Sequence, residues 1–376
     1  MRICLLRPLP DPQRWSMDLY SRQLLSLFKS SLKPGEEVQI FPGEEDFGRW
    51  WIPAGPLAKP LRYWQQYGLY GLRAHQLKAD VYHITDHGYL NLMPFLGPGR
   101  KIVSCHDMLL NNLNAGTLPV NWKPRASIFL HSRFQRLLNK ADRIITGSEF
   151  TRSEITRWAG IKPGRITVIP DGVSAEFGKA QSSTRLNVFR KQWRLDGRKV
   201  ILVPGRTDAH KNIEGTLAVI AQLIRQGVPA VMLKTGSPLT AAQLSLADQL
   251  GISEHVISTG HLNIDDLIAA YQVSDALLFL SWYEGFGLPA AEAMAAGIPA
   301  VISGHGSLPE TAGGAARIVD PAKPEEAAAA LRQVLTDVKL RVELIDKGKR
   351  RAAQLTWEKT ASRTLEVYRE VMEGHS

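Results

Sequence analysis

Cysteine is scarce in this chain of 376 residues: there are two, Cys4 and Cys105. Both sit in apolar, strand-like runs. That excludes a disulfide scaffold and predicts buried free thiols in a reducing cytoplasm. No apolar run approaches the roughly 18–20 residues that a spanning helix needs. The opening MRICLLRPLP lacks the apolar length and cleavage site of a signal peptide and reads as a first strand. No G-x-G-x-x-G occurs, which argues against a dinucleotide oxidoreductase. Tandem repeats and low-complexity segments are absent too. Acid is thin in the first half: residues 1–180 hold 24 Lys/Arg against 15 Asp/Glu, whereas 181–376 hold 22 against 21. Most of the net charge of +10 is therefore N-terminal. Such a field favours an anionic partner, whether nucleic acid, acidic lipid or a phosphorylated substrate, unless it serves only solubility.

What is present is alternation. Short apolar runs recur at 3–9, 38–41, 81–85, 101–106, 143–148 and 166–170, and again at 199–205, 230–236, 255–260, 276–281 and 299–303. Helical patterns such as 216–227 and 324–337 lie between them. Strands alternating with helices imply βαβ units and parallel sheets. Two series, with polar GKAQSSTR (178–185) between them, predict two doubly wound domains. Ligands of such sheets sit at the carboxyl ends of the strands, so a site is expected where the two face each other across a cleft.

Three strings place chemistry at those ends. In YEGFGLPAAEAMAAGIPAVIS (283–303), Glu284 and Glu292 flank the turn Gly285-Phe286-Gly287-Leu288 and Pro289. Proline at the first helical position marks a helix start, whose free N–H groups and dipole suit a phosphate or a sugar. Such junctions also recur in α/β proteins without any ligand. In VPGRTDAHKN (203–212), Arg206 and Lys211 share one loop, which suits a diphosphate or is merely solvated charge. In KIVSCHDM (101–108), His106 and Asp107 follow a strand, Asp107 either orienting the imidazole or capping the next helix. His83, Asp86 and His87 form a nearby group, but no third clear metal ligand accompanies the histidines.

Together these strings resemble the retaining glycosyltransferases of GT-B fold, especially glycosyltransferase family 4 (group 1): the E-x7-E signature is Glu284 and Glu292, and "GR…KN" is Gly205-Arg206 with Lys211-Asn212. The resemblance is close in the second half and loose in the first. It implies an N-terminal acceptor-binding Rossmann-like domain (1–178), a C-terminal nucleotide-sugar domain (179–355), and a last helix (356–376) that crosses back to the first. It implies that Arg206 and Lys211 hold the donor diphosphate, that Gly285, Phe286, Gly287 and Leu288 meet sugar and phosphate with their amides, and that Glu292 holds the ribose. Glu284 and His106 would act at the donor sugar, and the loop of His261 and Leu262 would contact the nucleobase. No cofactor or metal is implied. The donor would be GDP- or UDP-linked, with similarity around His106 to mannosyl- and rhamnosyltransferases tilting towards GDP-mannose, and the acceptor a glycan or lipid-linked glycan of polysaccharide assembly. An epimerase or a glycoside phosphorylase on the same fold is the alternative. A nucleic-acid module would leave the glutamate and Arg/Lys motifs unexplained.

Two segments depart from the family. The first loop, RPLPDPQRWSMDLYSRQL (7–24), has no glycine-rich turn; Ser16 and Asp18 read as N-cap and first-turn residues, and amides around Trp15, Ser16 and Met17 remain as phosphate or acceptor contacts. Residues 48–75 mix Trp50, Trp51, Tyr63, Trp64, Tyr67 and Tyr70 with Arg49, Lys59, Arg62 and Arg73. Aromatics with cations suit a bilayer interface, which would make the protein peripheral on the membrane's cytoplasmic face. They suit sugar stacking or packing equally.

Overall fold

A computed structural model describes residues 1–9, 15–43, 58–121 and 135–374. Contacts divide the chain into two units. One comprises Met1–Asn111, Lys123–Gly172 and Trp357–Ser376; the other comprises Asn112–Trp122 and Val173–Thr356.

The first unit is built on a six-stranded parallel sheet in the order β2-β1-β3-β4-β5-β6. Its strands are β1 (Arg2–Leu6), β2 (Glu37–Phe41), β3 (Val81–Ile84), β4 (Arg100–Ser104), β5 (Arg143–Thr146) and β6 (Ile166–Val168). The second sheet runs β12-β11-β10-β7-β8-β9, also parallel. Its strands are β7 (Lys199–Val203), β8 (Ala230–Thr235), β9 (Val256–Gly260), β10 (Ala276–Phe279), β11 (Ala300–Ser303) and β12 (Arg317–Val319). Central strands are buried along their length, as strands covered by helices on both faces must be. The last strand was not legible as an apolar run, because β12 is a three-residue edge strand with Arg317 and Ile318 exposed. Both cysteines are buried free thiols, and burial pushes Cys4 up to about 12.

The helices that matter below are α1 (Trp15–Ser31), α2 (Ala58–Trp64), α3 (Tyr70–Ala74), α4 (Leu109–Asn114), α5 (Glu149–Ala159), α6 (Ser183–Gln192), α7 (Ile213–Arg225), α8 (Ala241–Gln249), α9 (Ile264–Gln272), α10 (Leu288–Ala296), α11 (Leu308–Ala312), α12 (Pro324–Thr336), α13 (Val338–Ala352) and α14 (Trp357–Met372). The last of these belongs to the first unit. Trp357, Ala361, Leu365 and Tyr368 form a stripe at helical spacing and share one core with Ile3, Leu5, Leu24 and Phe28. Gly172 makes the approach possible: a Cβ there would lie 2.3 Å from the Trp357 nitrogen.

Ser16 lies inside α1, not at its N-cap, because the helix already begins at Trp15. Asp18 is in the first turn as expected, accepting from Arg22 Nε at 2.7 Å and facing the buried Arg7 at 3.4 Å. Residues 10–14 and the side chains of Trp15 and Ser16 lie outside the described residues, as do Arg49, Trp50, Trp51 and the Lys59 side chain. In the described part of that aromatic segment, α2 passes through a π turn (Gln65–Leu69) into α3. Tyr70 is fully buried and donates to the carbonyls of Arg7 and Phe41. Leu61, Tyr63, Trp64 and Leu72 are exposed, and Tyr63 stacks on Tyr67 with ring centroids 5.8 Å apart.

Candidate functional site

In the second sheet, crossovers run from β7 outward to β8 and β9, then return to place β10 on the other side of β7. The reversal between β7 and β10 is where open α/β sheets bind ligands. The Arg206–Lys211 turn leaves β7, and the Glu284 turn leaves β10. Lys211 and Glu284, 73 residues apart in sequence, therefore meet: Lys211 Nζ donates to Glu284 Oε1 at 2.7 Å. Their side chains are 17% and 11% exposed, so the pair is mostly desolvated without being sealed. The Lys211 ammonium also lies 5.5 Å from the centre of the Phe279 ring, within cation–π range.

Each partner sits on a shaped turn. Lys211 ends a single 3-10 turn (Ala209–Lys211), after which Asn212 takes a left-handed conformation and caps α7 by accepting from Gly215 N at 3.2 Å. Asn212 also donates to the Pro321 carbonyl at 3.0 Å. Arg206 is more exposed and forks onto Asp208, at 2.5 and 3.3 Å. On the other side, the Glu284 carbonyl accepts from both Ser307 N (3.1 Å) and Ser307 Oγ (3.0 Å). Gly306 lies so close that a Cβ there would sit 2.7 Å from Glu284 N. Gly287 has φ +93°, with Leu308 packed where a Cβ would be. The helix α10 begins at Leu288, so Pro289 is its second residue, not its first. The geometry expected of Gly285–Leu288, a glycine turn opening a helix at the ligand edge, is what the structure has.

Glu292 lies on α10, one turn after its start at Leu288, and accepts from Tyr271 Oη at 2.6 Å. Burial pushes its carboxyl up to about 7, and the Tyr271 hydrogen bond opposes that shift. The third loop at this edge, after β9, carries an exposed His261 and a half-buried Leu262 that packs on the core. Its Gly260 carbonyl accepts from Gly236 N at 2.9 Å.

The first unit brings His106 to the end of β4. Its Nε2 lies 2.8 Å from the Thr85 carbonyl at the end of β3. A carbonyl only accepts, so Nε2 carries a proton there. The ring stands edge-on to Tyr20, with centroids 5.0 Å apart. Asp107 caps: its Oδ1 accepts from Leu109 N at 2.9 Å, at the start of α4. Behind His106 lies His83, fully buried between Tyr368 Oη (2.5 Å from Nδ1) and Ser104 Oγ (2.8 Å from Nε2). Ser104 donates its hydroxyl to Tyr20 at 3.0 Å. It must then accept from His83 Nε2–H, and His83 Nδ1 accepts from Tyr368. His83 is thus a structural hinge pin between β3, β4 and α14. Burial and then the proximity of His106 push it down to about 3.

Sequence reasoning passed over three groups here. Asp171, in the VIPDGV segment, is raised by burial, a shift that nearby His106 opposes. Tyr271 is hidden in the apolar face of α9. Lys234 reads as a stray polar residue in the strand AVMLKT. None had a local signal, because each acquires its neighbours only through the fold.

Two parallel sheets of this kind, with charged motifs at their carboxyl edges, define a GT-B protein of two Rossmann-like domains. The Anabaena protein HepE, solved in complex with UDP-glucose, superposes over 98% of this chain and 100% of its own with a TM-score of 0.75, at 18% identity. Two family models match, Glycosyl transferases group 1 over residues 187–351 and Glycosyltransferase Family 4 over 32–177. The chain belongs to this family and is a glycosyltransferase. It is similar to O-antigen chain mannosyltransferase B of Escherichia coli, 28% identical over 72% of this chain and 70% of that protein. It is also similar to the MMP alpha-(1->4)-mannosyltransferase of Mycolicibacterium hassiacum, 29% identical over 62% of this chain and 55% of that protein.

Proposed function

We propose that the protein is a retaining hexosyltransferase that moves a mannose-like sugar from a nucleoside-diphosphate sugar to a glycan or lipid-linked acceptor, without a metal or cofactor. The observation that carries this reading is the meeting of Lys211 with Glu284 at the β7/β10 reversal, beside the Gly285–Leu288 turn. A cation and a carboxylate held together, next to a glycine turn that opens a helix, match a ligand that carries both phosphate and hydroxyls. The mannosyltransferase relatives support mannose, and the UDP-glucose bound to HepE supports a nucleotide donor.

In this reading the second unit binds the donor. Lys211 and Arg206 take the diphosphate, where charge grows as the anomeric C–O bond breaks. Glu284 accepts from donor-sugar hydroxyls, Glu292 from the ribose, and the His261–Leu262 backbone lies against the base. The acceptor oxygen attacks on the face that the diphosphate leaves, and its proton passes to the departing phosphate oxygen. The first unit would bind the acceptor. A panel of UDP-, GDP- and ADP-sugars with a lipid-linked acceptor tests the proposal: the expected product keeps the anomeric configuration, and transfer survives EDTA. Inverted product, or donor turnover without any acceptor, would replace it.

The exposed Leu61, Tyr63, Trp64 and Leu72, beside Arg62 and Arg73, support contact of this segment with a bilayer interface. No helix among the described residues is long and apolar enough to cross a membrane. Peripheral association on the cytoplasmic face is the arrangement that buried free thiols and a basic first half favour. Sedimentation with anionic liposomes should be strong at low salt and fall as salt rises. No co-sedimentation at low salt would end this part of the proposal.

A further inference from the structure

One cation at the ligand edge of the second sheet belongs to none of the motifs. Lys234, near the end of β8, has no exposed surface. Its Nζ donates to the carbonyls of Gly205 and Thr235, both at 2.6 Å. These carbonyls also join the loops after β7 and β8, since Gly205 N donates to Thr235 O (3.0 Å) and Ser237 N to Gly205 O (3.1 Å). Gly205, with φ +100°, directly precedes Arg206. The ammonium thus staples the loop that carries Arg206 and Lys211 to the neighbouring strand.

Burying an ammonium without a counter-charge is unfavourable, and an apolar side chain is the ordinary occupant of such a strand position. Among the described residues no carboxylate pairs with Lys234. Burial, and then repulsion from Lys211, lowers it to about 8. The other charged groups of the surrounding loops are engaged elsewhere: Lys211 with Glu284, Arg206 with Asp208, and Glu214 with Gln243. Arg206 and Lys211 each pair with a carboxylate, whereas Lys234, the third cation, has only carbonyl partners, and the exposed Glu214 does not reach it. What would balance the third is an anion arriving at the β7 edge.

We propose that Lys234 is a positioning residue for a nucleoside diphosphate: it fixes the Gly205–Arg206 turn, and its buried charge joins those of Arg206 and Lys211 in attracting the diphosphate. The inference rests on the nucleotide-donor reading above. Bound diphosphate favours the charged lysine, so affinity should fall as pH rises through about 8 and binding should take up a proton there.

The test is calorimetric titration with UDP and GDP at about pH 7 and about pH 9. Lys234→Met should weaken binding by about tenfold at the lower pH and remove most of the further weakening at the higher. A wild-type dissociation constant in Lys234→Met, or an undiminished pH step, would overturn the inference. Should that variant fail to fold, the wild type decides: titrations near pH 8.5 in buffers of different ionisation enthalpy should show proton uptake, and none would overturn the inference. Wild-type protein that binds neither nucleotide would instead overturn the donor reading, and this inference with it.

Discussion

Lys211→Ala should lower sugar transfer by about a thousandfold or more, roughly 4 kcal/mol of lost transition-state stabilisation. Glu284→Ala should do the same. The two side chains touch at 2.7 Å and stand where the chain reverses around β7, so both address one ligand. Removing Lys211 takes away a cation just as charge accumulates on the leaving diphosphate. It also leaves Glu284, largely desolvated, without its partner, which raises the cost of the empty site. Because the pair keeps some solvent contact, the folding penalty should be modest, and cooperative unfolding should persist in both variants. Residues that act as a unit lose less together than the sum of their separate losses, so the double variant should be only slightly worse than either single one. Initial rates of nucleoside-diphosphate release with acceptor present, alongside urea unfolding, check all of this. Turnover near the wild-type rate in either single variant would remove the role assigned to it.

Acidification should weaken the first unit through His83. An unfolded histidine titrates near 6.5, whereas burial holds folded His83 near 3. The depressed group keeps the fold at full stability above about pH 6.5. Below that the unfolded chain binds a proton that the folded one refuses, and stability falls by about 1.4 kcal/mol per pH unit until about pH 3. Between about pH 7.5 and 5 this amounts to roughly 2 kcal/mol. His83→Gln can still donate towards Ser104 and accept from Tyr368, but it does not titrate. It should unfold more easily than wild type at neutral pH and lose less on acidification. Glu292, raised to about 7, has the opposite sign in the other unit, gaining stability as pH falls towards the unfolded value. It is common to both proteins and cancels in the comparison. Equal acid sensitivity of variant and wild type would show that His83 does not bear the proton linkage.

Most of the framework could be read from the chain because its strands are buried on both faces. Runs such as VILV in β7 and ALLF in β10 are buried along their length and have no polar alternation to blur them; the partly exposed edge strands β2 and β9 were still legible from β-branched runs such as VQIF and HVISTG. The edge strand β12 was not legible, since it is only three residues long and exposes two of them. The glutamate turn and the Arg/Lys turn were legible as motifs because each is local. Their contact was not, because it depends on β10 returning to the side of β7. The same limit hid Tyr271 behind Glu292 and Lys234 beneath Gly205. It also hid the role of His83, which the sequence groups with Asp86 and His87 but whose partners lie on β4 and, 285 positions away, on α14.

That last helix has a consequence for the order of events during synthesis. The core of the first unit draws Ile3, Leu5, Leu24 and Phe28 from the start of the chain, and Trp357, Leu365, Tyr368 and Val371 from its end. The residues of the second unit emerge from the ribosome between them. The sheet of the first unit is therefore translated before the second unit and completed after it. Until α14 appears, a strip of apolar surface on β1 and α1 lacks its cover, while the second unit already holds every residue of its own sheet.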